Sequence, residues 1–320
     1  MNKLVSLIVP MYNEEEMAPI FYEAVNKVLD EVKDRYDIEY VFVNDGSKDK
    51  TWEIIKSLRE KDHHIHAVSL SRNSGQEAAI AAGLYVSRGD ACIIMDADLQ
   101  DSPSVLIDML NKYEEGYDVV NAKRTDRKKD SFLKRFTAAR YYDVIYKLSG
   151  KIKVPKNVNN FRLLSRKVVD QINALPEKNR VFRILVPYVG YKTAEVTFAR
   201  EKRPKGESKY NPTALFSLAG ESIVASSSRP LLWPLKCGLL LTFLSSIAFI
   251  ATLVFHILAR CAIAPFIFWD TGLYLLISII VLLFGITFIF LGIIAQYVGK
   301  SYLEARNRPL YFIDEELKDE

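Results

Sequence analysis

The 320-residue chain reads as an α/β domain followed by a two-helix membrane hairpin, and three observations lead there. Short β-favouring runs alternate with helical periods over roughly the first 210 residues, enough for one substantial core. The polar residues of that stretch gather just past the strand ends, where a ligand crevice of an open sheet lies. Beyond it, Leu235–Ala259 and Gly272–Tyr297 are apolar runs of about 25 residues, or roughly 37 Å as helices, enough to cross a hydrocarbon core.

Leu4–Pro10 is a continuous apolar run suited to a strand covered on both faces, and Tyr12-Asn13-Glu14 breaks it. Helical spacing then runs over Glu15–Val32, and Tyr40–Asn44 restarts a strand that ends at Asp45-Gly46-Ser47. A helix over Lys50–Glu60, a strand over Ile65–Leu70 and a helix over Gln76–Val86 continue the alternation. Between the last two, Ser71–Gln76 is a turn-to-helix junction that serves as scaffold or as the wall of a ligand site. Ala91–Met95 is a further buried strand, Asp96–Asp101 an acidic turn, and Leu106–Tyr113 a helix. This order predicts a mainly parallel sheet with helices on both faces.

After Asp118–Asn121 the pattern changes. Lys123–Arg135 carries seven basic residues against two acidic ones, which makes it a solvated face or a lipid-headgroup contact. A helix over Phe132–Leu148, an edge strand over Thr193–Phe198 and the basic loop Arg200–Lys209 follow. Thr213–Ser228 sets Leu215, Leu218, Ile223 and Val224 together, so this amphipathic helix lies in the membrane interface or packs on the soluble domain.

Basic residues flank the hairpin at Arg229, Lys236, Lys300, Arg306 and Arg308, whereas the connector Arg260–Thr271 has one Arg and one Asp. The expectation is two spans with both ends cytoplasmic and the connector outside. The first apolar run, Leu4–Pro10, is too short for a secretory signal, so the large domain is expected in the cytosol. Cys92, Cys237 and Cys261 are too scattered for a disulfide framework or a metal motif. The net charge of +4 gives no reason to expect a nucleic-acid partner.

The strongest chemical signal is Ile93-Ile94-Met95-Asp96-Ala97-Asp98-Leu99-Gln100. A buried strand runs into two carboxylates one residue apart, so both can leave the strand end toward a hard cation such as Mg²⁺ or Mn²⁺. Such a cation commonly shares its ligands with phosphates, which points to a diphosphate-bearing substrate. Asp45 can bond a nucleoside base or sugar, and Gly46 permits a tight turn. Asn13 and Asp49 also read as helix caps. None of these segments has the spacing of a P-loop or a dinucleotide fingerprint.

The segments VPMYNEEE, VNDGSKD, SRNSGQEAA, DADLQDSP, NFRLLSRK and GESKY, in that order and ahead of two apolar helices, resemble the polyisoprenyl-phosphate glycosyltransferases of glycosyltransferase family 2. That family includes bacterial lipid-linked glucosyltransferases and dolichyl-phosphate mannose synthases. The resemblance implies a GT-A nucleotide-sugar-binding domain over 1–212, a juxtamembrane interface helix and linker over 213–234, two transmembrane helices over 235–299 and a cytosolic tail over 300–320. It also implies that Pro10, Tyr12, Glu14 and Asp45 line the nucleotide pocket. Asp96 contacts the nucleotide sugar or its metal, and Asp98 and Gln100 are the direct metal ligands, unless Gln100 caps the following helix. Arg124 and Arg135 hold the acceptor phosphate, while Arg203 and Lys209 approach the donor diphosphate.

The reaction so implied is inverting transfer of a hexose, glucose from UDP-glucose, to undecaprenyl phosphate or another polyisoprenyl phosphate at the cytosolic face of the inner or plasma membrane. Anionic lipids and further copies of the chain are the expected partners. Two other functions fit the same sequence: a GDP-mannose-dependent mannosyltransferase, and a catalytically weak membrane interaction module on the transferase scaffold. One departure motivates the module. Asn157 and Asn160 stand where the resembling proteins commonly have acidic residues, and neither can act as a carboxylate base.

Overall fold

A computed structural model describes residues 2–125, 155, 158–178, 180–198, 240, 243, 247 and 269–318. It divides into two units, Met1–Ala219 with Asn307–Glu320, and Gly220–Arg306.

In the first unit β1 (Lys3–Met11), α1 (Met17–Leu29), β2 (Tyr36–Asn44), α2 (Thr51–Lys61), β3 (Ile65–Leu70), α3 (Gln76–Val86) and β4 (Ala91–Ile94) alternate as the periodicity requires. Each strand is apolar on both faces because helices cover both: Leu7, Val9 and Phe42 pack in one core, Ile8, Val41 and Val43 in the other. Helix α1 buries Met17, Phe21, Val25 and Leu29 at helical spacing. Helix α3 is buried nearly all round from Ala78 to Leu84, and Gly83 lets it approach β1. A Cβ at Gly83 would lie 2.4 Å from the Ile8 side chain.

The chain continues through α4 (Val105–Glu114), β5 (Val119–Arg124), β6 (Val158–Ser165), α5 (Arg166–Ala174), α6 (Phe182–Val189) and β7 (Thr193–Phe198). In the second unit lies α7 (Trp269–Ala305), and β8 (Ile313–Leu317) returns to the first. The strand order is β7-β5-β6-β4-β1-β2-β3-β8. The sheet is mainly parallel, as expected, but mixed: β5 pairs parallel with β7, and among the described strands only β6 and β8 run against the other six. β1, β2, β3 and β4 are parallel, but β6 is antiparallel to both β4 and β5, and β8 is antiparallel to β3. The α4 crossover carries β5 one place past β4, and β6 fills the gap from the opposite direction.

The stretch expected as a tail thus contributes the eighth strand. β8 covers the β3 edge and is fixed by side chains from far upstream. Trp52 donates its indole N–H to Glu315 at 2.8 Å, and Lys56 reaches the same carboxylate at 3.0 Å. His66, buried on β3, lies 2.9 Å from Glu316 and 3.5 Å from Glu39. Burial works against the charge on Glu39, but hydrogen bonds from His66, Ser6 and the Arg88 N–H hold its carboxyl below the usual range.

Helix α7 is 37 residues long, about 55 Å, and takes in the expected second span, continuing past Tyr297 to Ala305. Its Leu283–Ala305 portion, with mean hydropathy 1.6, is long and apolar enough to cross a membrane, and Phe284, Phe288 and Leu291 are exposed along it. It is the single such helix among the described residues, which supports one candidate span and does not show the hairpin. The span expected at Leu235–Ala259 lies outside them apart from Leu240, Phe243 and Ile247, which are helical. The helices expected over Phe132–Leu148 and Thr213–Ser228 also lie outside them.

Deleting residues 313–318 should lower the thermal unfolding midpoint of the purified chain and increase its aggregation, since an open β3 edge is a template for pairing. Trp52→Phe should cost about 0.5–1.5 kcal/mol in denaturant unfolding, the usual worth of one hydrogen bond. Unchanged midpoints in both would show that β8 adds nothing to the sheet.

Candidate active site

The parallel strands β1, β2 and β4 end at one edge. Met11 is level with Asn44, and Ile8 with Ile94, so Asp96, two residues past the end of β4, emerges at the edge where β1 and β2 also end. The loops after β1 and β2 are tied to each other. Asn13, at φ 53°, accepts from the Lys48 N–H at 2.9 Å, while the Asn13 N–H donates to Ser47 Oγ at 3.0 Å. The Glu14 N–H donates to Thr51 at 2.9 Å. Of the two expected helix caps, Asp49 accepts from the Thr51 N–H at 3.1 Å at the start of α2, whereas Asn13 bonds across to the neighbouring loop.

Asp45, 3% exposed, accepts from the Ser74 N–H at 2.7 Å and the Gly75 N–H at 2.9 Å. Burial pushes its carboxyl up and the two donors oppose. It therefore pins the turn that leads into α3, and a second lone pair on each oxygen is left for another donor. The turn comes close enough that only glycine fits opposite: Gly46 has φ +59°, and a Cβ there would meet the Arg72 carbonyl carbon at 2.3 Å.

The acidic turn follows β4 directly. Asp98 accepts from the Gln100 N–H at 3.1 Å, which folds the turn on itself around Leu99 at φ 52°. Gln76, at the start of α3, donates to Asp96 at 2.6 Å. Burial and the negative charges of Asp98 and Asp101 push the Asp96 carboxyl up to about 6, against Arg124 and Gln76. Arg124 ends β5 and pairs at 3.2 Å with Asp101, which is 2% exposed. The Asn159 amide, with its oxygen turned to Arg124, accepts from that guanidinium at 2.6 Å.

Of the expected site residues, Asp96, Asp98, Gln100 and Arg124 are thus brought together around one turn, and Pro10, Tyr12, Glu14 and Asp45 stand at the same sheet edge. Arg135, Arg203 and Lys209 lie outside the described residues, as does Asn157. Sequence reasoning held Gln76 only as the end of a junction and Asp101 only as the end of the acidic turn, and it missed Asn159, the half-buried Glu77 and the buried Arg162. Glu77 accepts from the Phe182 N–H at 3.2 Å and from Asn160 at 3.3 Å. Burial pushes its carboxyl up, against those donors and the charges of Arg162 and Arg183. Arg162 is 1% exposed, and burial pulls it down to about 10 with Glu77 opposing, so it stays charged near neutral pH. The signal available was one carboxylate opening an otherwise apolar helix.

Among the described residues no three His, Cys, Asp or Glu side chains form a ready metal cluster. Asp96 and Asp98 still fit a hard divalent cation that takes its remaining ligands from phosphate and water. Their donors are all oxygen, and the crowded negative charge that raises Asp96 would be relieved by a positive ion.

Residues 6–172 match Glycosyl transferase family 2. The SfII prophage-derived bactoprenol glucosyl transferase of Shigella flexneri is 41% identical over 319 residues, covering 97% of this chain and 97% of that protein. A prophage bactoprenol glucosyl transferase homolog of Escherichia coli is 40% identical over 311 residues, covering 97% and 98%. The crystal structure of mannosyl-3-phosphoglycerate synthase from Rubrobacter xylanophilus aligns with a TM-score of 0.47 and 20% identity, over 70% of this chain and 73% of that one. With a family match over more than half its length and relatives this similar over nearly all of it, the chain belongs to glycosyl transferase family 2 and carries its GT-A-like α/β fold.

Proposed function

We propose that the protein transfers glucose from UDP-glucose to undecaprenyl phosphate, with inversion, at the cytoplasmic face of a membrane. The observation that carries this reading is the acidic turn Asp96–Asp101 set beside Arg124, carboxylates for a cation next to a guanidinium for a phosphate. A helix apolar enough to cross a bilayer suits a lipid acceptor. One relative at 41% identity is named a bactoprenol glucosyl transferase and one at 40% a homolog of that enzyme, which supports the same sugar and the same lipid here.

Asp96, Asp98 and Gln100 would hold Mg²⁺ or Mn²⁺, which when bound offsets the charge growing on the departing diphosphate. Pro10, Tyr12, Glu14 and Asp45 line the nucleotide end, and Arg203 and Lys209 approach the diphosphate. Arg124 and Arg135 take the acceptor phosphate through paired N–H donors. An oxygen of that phosphate, already ionised near neutral pH, attacks the anomeric carbon opposite the UDP. The new C–O bond forms as the bond to the diphosphate oxygen breaks, and the electron pair leaves on UDP. An α-linked donor becomes a β-linked lipid phosphate sugar, and Asn160 is no obstacle because no protein base is required. Two spans within 235–299 keep both ends cytoplasmic. The basic flanks meet anionic headgroups, and self-association gives a firmer platform.

Purified protein in membranes, given labelled nucleotide sugars and undecaprenyl phosphate, should yield a glucolipid from UDP-glucose. Product from GDP-mannose alone would move the assignment to a mannosyltransferase, and no lipid product from any donor would reject the enzyme. Asp98→Ala should cut transfer at least about 100-fold while the fold is kept, the scale of losing one electrostatic stabiliser.

The shift on Asp96 has a sign that can be checked. The native carboxyl keeps its proton up to about pH 6 and the unfolded one only to about 3.8, so the native state binds more protons in between. Without metal, stability should therefore fall as pH rises through that window, and less so in Asp96→Asn. Mn²⁺ should stabilise more above pH 6 than below it. A pH-independent metal effect would separate Asp96 from the metal.

A further inference from the structure

Helix α3 opens with two neighbouring polar residues that reach different walls of the site. Gln76 bonds Asp96 of the acidic turn, and Glu77 bonds Asn160 of β6 and the Phe182 N–H at the start of α6. From Ala78 to Leu84 the helix is buried, so Glu77 sits at the edge of an apolar core. A carboxylate there is costly unless paired and hydrogen-bonded, and its charge partner is Arg162. That guanidinium is fully buried and donates to the carbonyls of Asn159 and Phe182. The contacts close a ring: Glu77 to Asn160, along the backbone to Asn159, to Arg162, to Phe182 and back to Glu77. One side chain leaves the ring toward the chemistry, the Asn159 amide that meets Arg124.

Building on the proposed transfer, we propose that Glu77 is a positioning residue for acceptor use. Its carboxylate, which accepts a hydrogen bond at each oxygen, fixes the Asn159–Asn160 stretch and, through Asn159, the Arg124 guanidinium beside the acidic turn that Gln76 holds. The chemistry needs one negative charge in the ring, facing Arg162, and that charge can sit on either side of the Glu77–Asn160 contact. Glu77→Gln removes it. Asn160→Asp sets a second carboxylate against the first. The double variant moves the charge across the contact: the new amide accepts from the Phe182 N–H and donates to the new carboxylate.

The test measures KM for undecaprenyl phosphate, kcat and UDP affinity in Mn²⁺ for the full-length parent, both single variants and the double. Each single substitution should raise the acceptor KM about tenfold and leave UDP affinity within about twofold. The double should recover most of the loss. Parental acceptor KM in Glu77→Gln, or a double variant no better than the two single losses combined, would overturn the assignment. So would equal weakening of UDP binding, which marks a merely structural role. If Glu77→Gln does not fold, Asn160→Asp against the double variant makes the same comparison. A parent without turnover sinks the proposed transfer and this inference with it, whereas an active parent with indifferent variants sinks this inference alone.

Discussion

The registers Met11↔Asn44 and Ile8↔Ile94 bring three parallel strands to an end at one edge of the sheet, β4 three residues before β1 and β2, and the polar part of the first unit is arranged around that edge. A strand buried on both faces has no room for chemistry along its length. The carboxylates of the acidic turn and of Asp45 come where the strands stop, and here three strands stop at the same edge. The loops that follow are short enough to bond one another, Asn13 with Lys48 and Asp45 with Ser74, so each holds its neighbour's backbone in place. The acidic turn is then set by Gln76 and Arg124 from either side.

Much of this was legible in the residues. Ile65–Leu70, Gln76–Val86 and Thr193–Phe198 take the bounds their periodicity gives, and the paired carboxylates follow a buried strand as expected. β2 begins four residues before the expected Tyr40, because Tyr36 is buried through a tertiary bond to Glu114 that no local pattern shows. β6 was opaque for a similar reason: Asn159, Asn160 and Arg162 interrupt its apolar pattern, and their partners lie on α3, α6 and β5. β8 reads as an acidic tail until Trp52, Lys56 and His66 stand opposite it. The site divides along the same line. Asp96 and Asp98 announce themselves by what precedes them in the chain, whereas Glu77, Asp101 and Asn159 matter through contacts many residues away.

The two ion clusters of the first unit do comparable work at distant places. Around His66, Glu39 and Glu316 supply negative charge to a buried ring; around Glu77, Arg162 supplies positive charge to a buried carboxylate. Neither is a large net source of stability, because desolvation offsets most of the attraction. What each adds is choice. Apolar burial alone would let an edge strand slide along β3 or let β6 shift against β4, and a one-residue slip reverses every side chain. The ion clusters accept one register only.

Because β8 follows α7 in sequence, the ribosome delivers the apolar segments before it delivers the strand that closes the β3 edge. The β3 edge therefore cannot be closed until α7 has been made. A chain that terminates before residue 313 is left with that edge unpaired, the kind of surface that templates pairing with another chain. A finished sheet thus certifies that the long apolar helix ahead of its last strand is present.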